Sequence, residues 1–184
     1  MAFADLDVRS DEEVARLAAS IDRLDVLIHC EGRVIRHALL WNDTRSAQAA
    51  LDLAAEVPDL AQRTGSVPVA SFTSTKLRWL RDNEPENAVR VAAVALPHDW
   101  LTWRLRGFGP DNPRLHELTT DRSDASGTGY FDPSTDQYDL DILERALGHT
   151  PTLPRVAGAA ESVGAVAPGM ATDAIVVSGA GDAA

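Results

Sequence analysis

Residues 173–184 read "DAIVVSGAGDAA". Four apolar residues in a row, Ala174 to Val177, are strand-like. The strand runs into Ser178, Gly179, Ala180 and Gly181, a turn in which backbone can approach a ligand closely. Asp182 follows at once. A glycine turn followed by a carboxylate looks like the beginning of an active-site loop. The remaining residues have to show what such a loop would serve.

Upstream, strands and helices alternate. "FADLDV" (3–8) and "LDVLIHC" (24–30) are predicted strands, separated by a helix over "SDEEVARLAASID", with Ser10 and Glu13 as its capping box. Their continuous apolar runs predict a buried parallel sheet. "RVIRHALLWND" (33–43) is predicted as a further strand, and 44–57 as a helix with Ala47, Ala50, Leu51 and Ala54 facing inward. "TSTKLRWLRDN" (73–83) is an amphipathic helix. "EPENAVRVAAVAL" (84–96) passes from a helical turn into a strand that Pro97 ends, and Asp99 caps a helix closed by Gly107. "TTDRSDASGTGYFD" (119–132) is polar and rich in capping residues. "YDLDILERALGH" (138–149) is a helix ending at Gly148, and 150–169 reads as an irregular connection. The class is α/β.

Composition excludes several functions. The net charge is −11, from 28 acidic and 17 basic residues. That disfavours nucleic-acid binding, which rests on basic side chains neutralising phosphates. There is no apolar run of 18 residues to span a membrane. Cys30 is the only cysteine and fits a reducing, cytoplasmic setting; in an apolar strand it is expected to be a buried, inert thiol. The five histidines, at 29, 37, 98, 116 and 149, have no metal-ligand spacing, and no metal site is expected. Trp79, Trp100 and Trp103 are expected in the core. No G-x-x-x-x-G-K-[ST] string is present.

Four stretches in order, "LLWNDTRS" (39–46), "FTSTKLRWLRDNEP" (72–85), "LPHDWLTWRLRG" (96–107) with "TTDRSDASGTGYFD", and the closing Gly179, Gly181 and Asp182, resemble the N-terminal domain of FGGY carbohydrate kinases, xylulokinases above all. The resemblance covers about residues 33–184. It implies a ribonuclease-H-like domain of the actin-like ATPase superfamily, incomplete at both ends. It implies ATP-dependent phosphorylation of a ketopentose such as D-xylulose, with Asp182 as the general base. Trp41, Asn42, Asp43 and Gly181 are implied as sugar contacts. Where xylulokinases have Asn after the catalytic Asp, this chain has Ala183.

The family's glycine-rich phosphate hairpin, its Met-His-Gly sugar loop and its adenine half have no counterpart here. ATP and magnesium belong to the complete enzyme, and none is expected on this chain alone. A C-terminal kinase half or a second copy is the expected partner. Residues 1–32, with Asp7, Val8 and a strand ending in His29, Cys30, Glu31 and Gly32, resemble a short-chain dehydrogenase instead, which divides the chain into 1–32 and 33–184. A dehydrogenase-like nucleotide-binding remnant and a non-catalytic sugar- or partner-binding domain are the alternatives.

Overall fold

The computed structural model describes residues 26–37, 39, 42–169 and 173–180. The strand expected at 3–8 and the capped helix after it lie outside these residues. The centre is a short antiparallel pair, β1 (Val26–Ile28) with β2 (Ala93–Ala95), in the register Val26↔Ala95, Leu27↔Val94, Ile28↔Ala93. Thr152 extends β2 on its other side through a parallel bridge to Ala93. The parallel pairing expected between 3–8 and 24–30 lies outside the described residues, and the neighbour that β1 shows here is the antiparallel β2. Apolar runs report burial on both faces and not strand direction, and both faces here are covered.

Alternate residues of the pair feed two cores. Leu27 and Val94 face the larger one, with Leu53, Leu77, Leu80, Ile142 and Leu143. Ile28, Ala93 and Ala95 face the other, with Trp103 and Leu118. The first core is closed by α1 (Ala47–Glu56), α2 (Leu60–Thr64), α3 (Thr73–Asn83), α4 (Pro85–Ala88) and, near the end of the chain, α7 (Leu140–Leu147). α3 is central and packs on both α1 and α7. The second core is closed by α5 (Pro97–Leu105). β1, on one side of Gly32, and β2, on the other, therefore share the same two cores.

β3 (Thr119–Thr120) lies against α5 and leads into α6 (Arg122–Ser126). β4 (Phe131–Asp132) and β5 (Gln137–Tyr138) form a hairpin. β6 (Arg155–Val156) pairs in parallel with β3. β7 (Ser162–Ala165) and β8 (Ile175–Val177) make a separate antiparallel pair. Thus 150–169, expected to be irregular, contributes two strands.

Several helices match their sequence signals. α3 occupies 73–83 as predicted. α7 is N-capped by Asp139, whose carboxylate accepts from Ile142 N, and ends at Gly148 in the left-handed conformation. Other expectations need correction. The segment predicted as a strand over 33–43 turns back on β1, making one antiparallel bridge, Ile28↔Val34. A turn at Cys30–Gly32 reverses the chain, and Gly32 takes φ +70°, where an added Cβ would meet Gly109 backbone at 2.9 Å. Cys30 is consequently exposed, not buried. In α1 the inward residues are Ala49, Ala50 and Leu53; Leu51 is 66% exposed. Asp99 is not an N-cap: α5 starts at Pro97, and Asp99 in its first turn accepts from Leu96 N at 2.8 Å.

Ile142 is fully buried between α7 and the rest of the larger core. Ile142→Ala is expected to lower unfolding free energy by about 2–5 kcal/mol, read as a shift of the urea midpoint at unchanged slope.

Candidate functional site

The described part of the candidate site is a turn held from below by polar groups. Asn42 is exposed at this turn and Asp43 is half-buried. Asp43 Oδ1 accepts from the backbone N of Arg45 and from its Nε, each at 3.0 Å. Those bonds, the backbone one first, together with the charges of Arg45 and Lys76, hold the Asp43 carboxyl below the usual carboxylate range against the opposing effect of burial. Ser46, fully buried, donates from Oγ to Ala70 O at 2.7 Å and ties the turn to the loop before α3.

The Arg45 guanidinium lies 5.2 Å from the centre of the Trp79 ring, and Arg36 lies 5.7 Å from the same ring. Arg36 also pairs with Glu84 at 2.8 Å. Trp79, expected in the core, is thus a platform for two cations at its edge. Of the other two tryptophans expected in the core, Trp103 is fully buried and Trp100 is half-buried. Lys76 is 5% exposed on the inner face of α3. Its position was legible: Thr73, Leu77 and Leu80 define the buried stripe, and residue 76 falls on it.

The first turn of α3 rests on the polar segment 119–132. Ser74 N donates to Thr128 O at 2.8 Å. Gly129, at φ +76°, sits so close that an added Cβ would lie 2.5 Å from Ser74 Oγ. That hydroxyl is buried without a hydrogen-bond partner. Asp121 caps α6 by accepting from Asp124 N at 3.0 Å, so the segment is a capped turn as its composition suggested. A cavity of about 10 Å³, the size of one water, lies nearby against Asp99, Thr120, Tyr130 and Tyr138.

Among the described residues, one group of His, Asp and Glu side chains converges. His98, Asp121 and Asp124 bring one ligand-type atom each within 4.8 Å of one another. Histidine spacing in sequence gave no sign of this, because the partners come from a different helix. These groups are engaged with one another as an ion-paired cluster, with His98 Nε2 between Asp99 and Asp124. Trp41, Gly181 and Asp182 lie outside the described residues; Gly179 and Ala180 are exposed after β8.

Residues 10–184 match the model of the N-terminal domain of the FGGY family of carbohydrate kinases. The chain belongs to this family. It is 45% identical over 164 residues to a protein named xylulose kinase from Streptomyces coelicolor, covering 85% of this chain and 32% of that protein. It is 34% identical, over 86% of this chain and 32% of the relative, to xylulose kinase from Escherichia coli. The solved structure of xylulose kinase from Bifidobacterium adolescentis superposes with a TM-score of 0.75 at 38% identity, over 88% of this chain and 40% of that one. The chain spans about a third of the length of the curated relatives it matches. The fold is the ribonuclease-H-like fold of the actin-like ATPase superfamily, in its N-terminal part. Among the described residues no helix is long and apolar enough to cross a membrane.

The two serines flanking this site make opposite predictions. Ser46→Ala removes a made hydrogen bond and is expected to cost about 1 kcal/mol. Ser74→Ala removes an unpartnered buried hydroxyl and is expected to be neutral or stabilising. Thermal melts of the two variants against wild type check both signs.

Proposed function

We propose that this chain is the sugar-acceptor portion of a xylulokinase-like kinase, a cytoplasmic enzyme phosphorylating a ketopentose, with D-xylulose as the first candidate. The family match over residues 10–184, joined to 45% identity with a xylulose kinase, supports the reading more than any other observation. In it, Asp182 takes the proton from the sugar hydroxyl as that oxygen becomes the nucleophile. Gly181 lets the sugar approach the backbone. Trp41 supplies an apolar wall and Asn42 and Asp43 supply polar contacts beside it.

The described geometry gives this assignment a physical basis on one side. Asp43 is an ionised acceptor with a fixed direction, because Arg45 engages it from backbone and side chain. The turn that carries it is anchored through Ser46 to Ala70. A carboxylate so held loses little freedom when it accepts a sugar hydroxyl.

ATP with magnesium supplies the phosphoryl group in this reading. In this reading the described residues are not the ones that hold that pair: the chain has no Walker-type string, and among the described residues the convergent acids at His98 are engaged with the imidazole. With a net charge of −11, the surface also opposes a tetra-anion. A C-terminal kinase half or a second copy of the chain is the partner the reading calls for, and the division of the chain at residue 32 is kept within it.

Two experiments test the reading. Residues 33–184 grafted into a complete homologous kinase carry the acceptor site, and Asp182→Asn in that graft is expected to lower kcat by about 10²–10⁴-fold. Unchanged turnover removes Asp182 from the mechanism. The 184-residue chain by itself, with ATP, magnesium and D-xylulose in a coupled ADP-release assay, is expected to turn over no faster than its Asp182→Ala variant. Sustained turnover above that control overturns the assignment of parts.

A further inference from the structure

α5 and α6 carry facing charges at one point. His98 Nε2 lies 2.8 Å from Asp99 Oδ1 on its own helix and 3.2 Å from Asp124 Oδ2 on α6. A carboxylate oxygen of Asp121, which caps α6 by accepting from Asp124 N at 3.0 Å, lies within 4.8 Å of the His98 and Asp124 ligand-type atoms. Ser123 Oγ also donates to Asp121 Oδ1. Asp99 is 1% exposed, Asp121 7%.

The charges acting on Asp124 are His98, Asp121 and Asp99. The other charged groups of the neighbouring elements are engaged elsewhere. On α6, Arg122 pairs with Asp136. On α5, Arg104 donates to Phe108 O, and Arg106 beyond its end pairs with Glu117 at 2.7 Å. β3 presents only Thr119 and Thr120. On β5, the Tyr138 phenol is pushed up by burial and by the charge of Asp99, so it stays neutral. Three carboxyl groups therefore share one imidazole. Two carboxylates in contact repel unless a proton lies between them, and a partly buried setting strengthens that demand.

We propose that His98, Asp121 and Asp124 form a pH-sensitive clasp between α5 and α6, closed while the carboxyl pair shares a proton and His98 is an imidazolium, and loosened as those two protons leave.

The sign follows from the two groups separately. Burial first, and then contact with Asp121, raises the Asp124 carboxyl from 3.8 to about 6. The folded chain then holds a proton that the unfolded chain has released, so stability falls as pH rises between about 4 and 6. For His98, burial pulls the value down, but the close approach of Asp99 and the charges of Asp99, Asp124 and Asp121 outweigh it and raise it above 6.5. Its contribution is complete below 6.5 and is lost as pH rises through the raised value. Both protons act in the same direction. The effect reaches the candidate site by a short path, because Thr128, two residues past α6, takes the amide of Ser74 at the start of α3. The proposal stands whether or not the chain is a kinase.

The test is the melting temperature of the full chain from pH 4.5 to 8.5, for wild type, Asp124→Asn and His98→Lys. Asn at 124 keeps a hydrogen bond to Asp121 without a titrating proton. Lys at 98 stays charged throughout. The difference between Asp124→Asn and wild type is expected to rise in favour of the variant by roughly 3–6 °C between pH 4.5 and 7, on the usual scale for a domain of this size. The difference between His98→Lys and wild type is expected to rise between pH 6.5 and 8.5. Flat differences for both variants overturn the clasp. A rise for Asp124→Asn alone removes His98 from it and overturns it as stated.

Discussion

Everything described here depends on three residues of β1 lying antiparallel to three residues of β2. Leu27 and Val94 go to one core and Ile28, Ala93 and Ala95 to the other, so both faces of the pair are covered. Leu27 and Val94 require α3 and the helices beside it. Ile28, Ala93 and Ala95 require Trp103 and hence α5. The pair is short, so backbone bonding contributes little to the total. Its weight comes from organising apolar burial on both faces, at about 25 cal/mol for each Å² removed from water.

The same arrangement accounts for where the polar features fall. α3 sits on the larger core, and its inner face carries Lys76 and Ser74 toward the turn at Asp43 and toward Gly129. α5 sits on the smaller core, and its first turn carries His98 and Asp99 toward α6. Segment 119–132 touches both helices, through Thr128 to Ser74 and through Asp124 to His98. A stretch that reads as loop in composition is thus the link between the two sides of the fold.

Much of this was legible in sequence where local chemistry dominates. Helix α3 was fixed by its apolar stripe, and α7 by Asp139 before it and Gly148 after it. Strand direction was not legible, because β1 is apolar whichever way its neighbour runs. Of the strand predicted over 33–43, the described residues show an antiparallel bridge at Val34, after a reversal at Gly32 that apolar content cannot reveal. In α1, an alanine-rich sequence leaves the inward face ambiguous by a residue or two, and tertiary packing chose Leu53 over Leu51. The family pattern was legible as an ordered set of four stretches. The cluster at His98 was not, since 23 positions separate His98 from Asp121 and only the fold closes that gap.

The central claim is that these residues carry the acceptor side of a sugar kinase and not its nucleotide side. Titration calorimetry of the purified chain tests it most directly, with D-xylulose and then magnesium–ATP as ligands. The account predicts saturable sugar binding that Trp41→Ala abolishes, and no heat of nucleotide binding. Saturable nucleotide binding without any response to the sugar would contradict it.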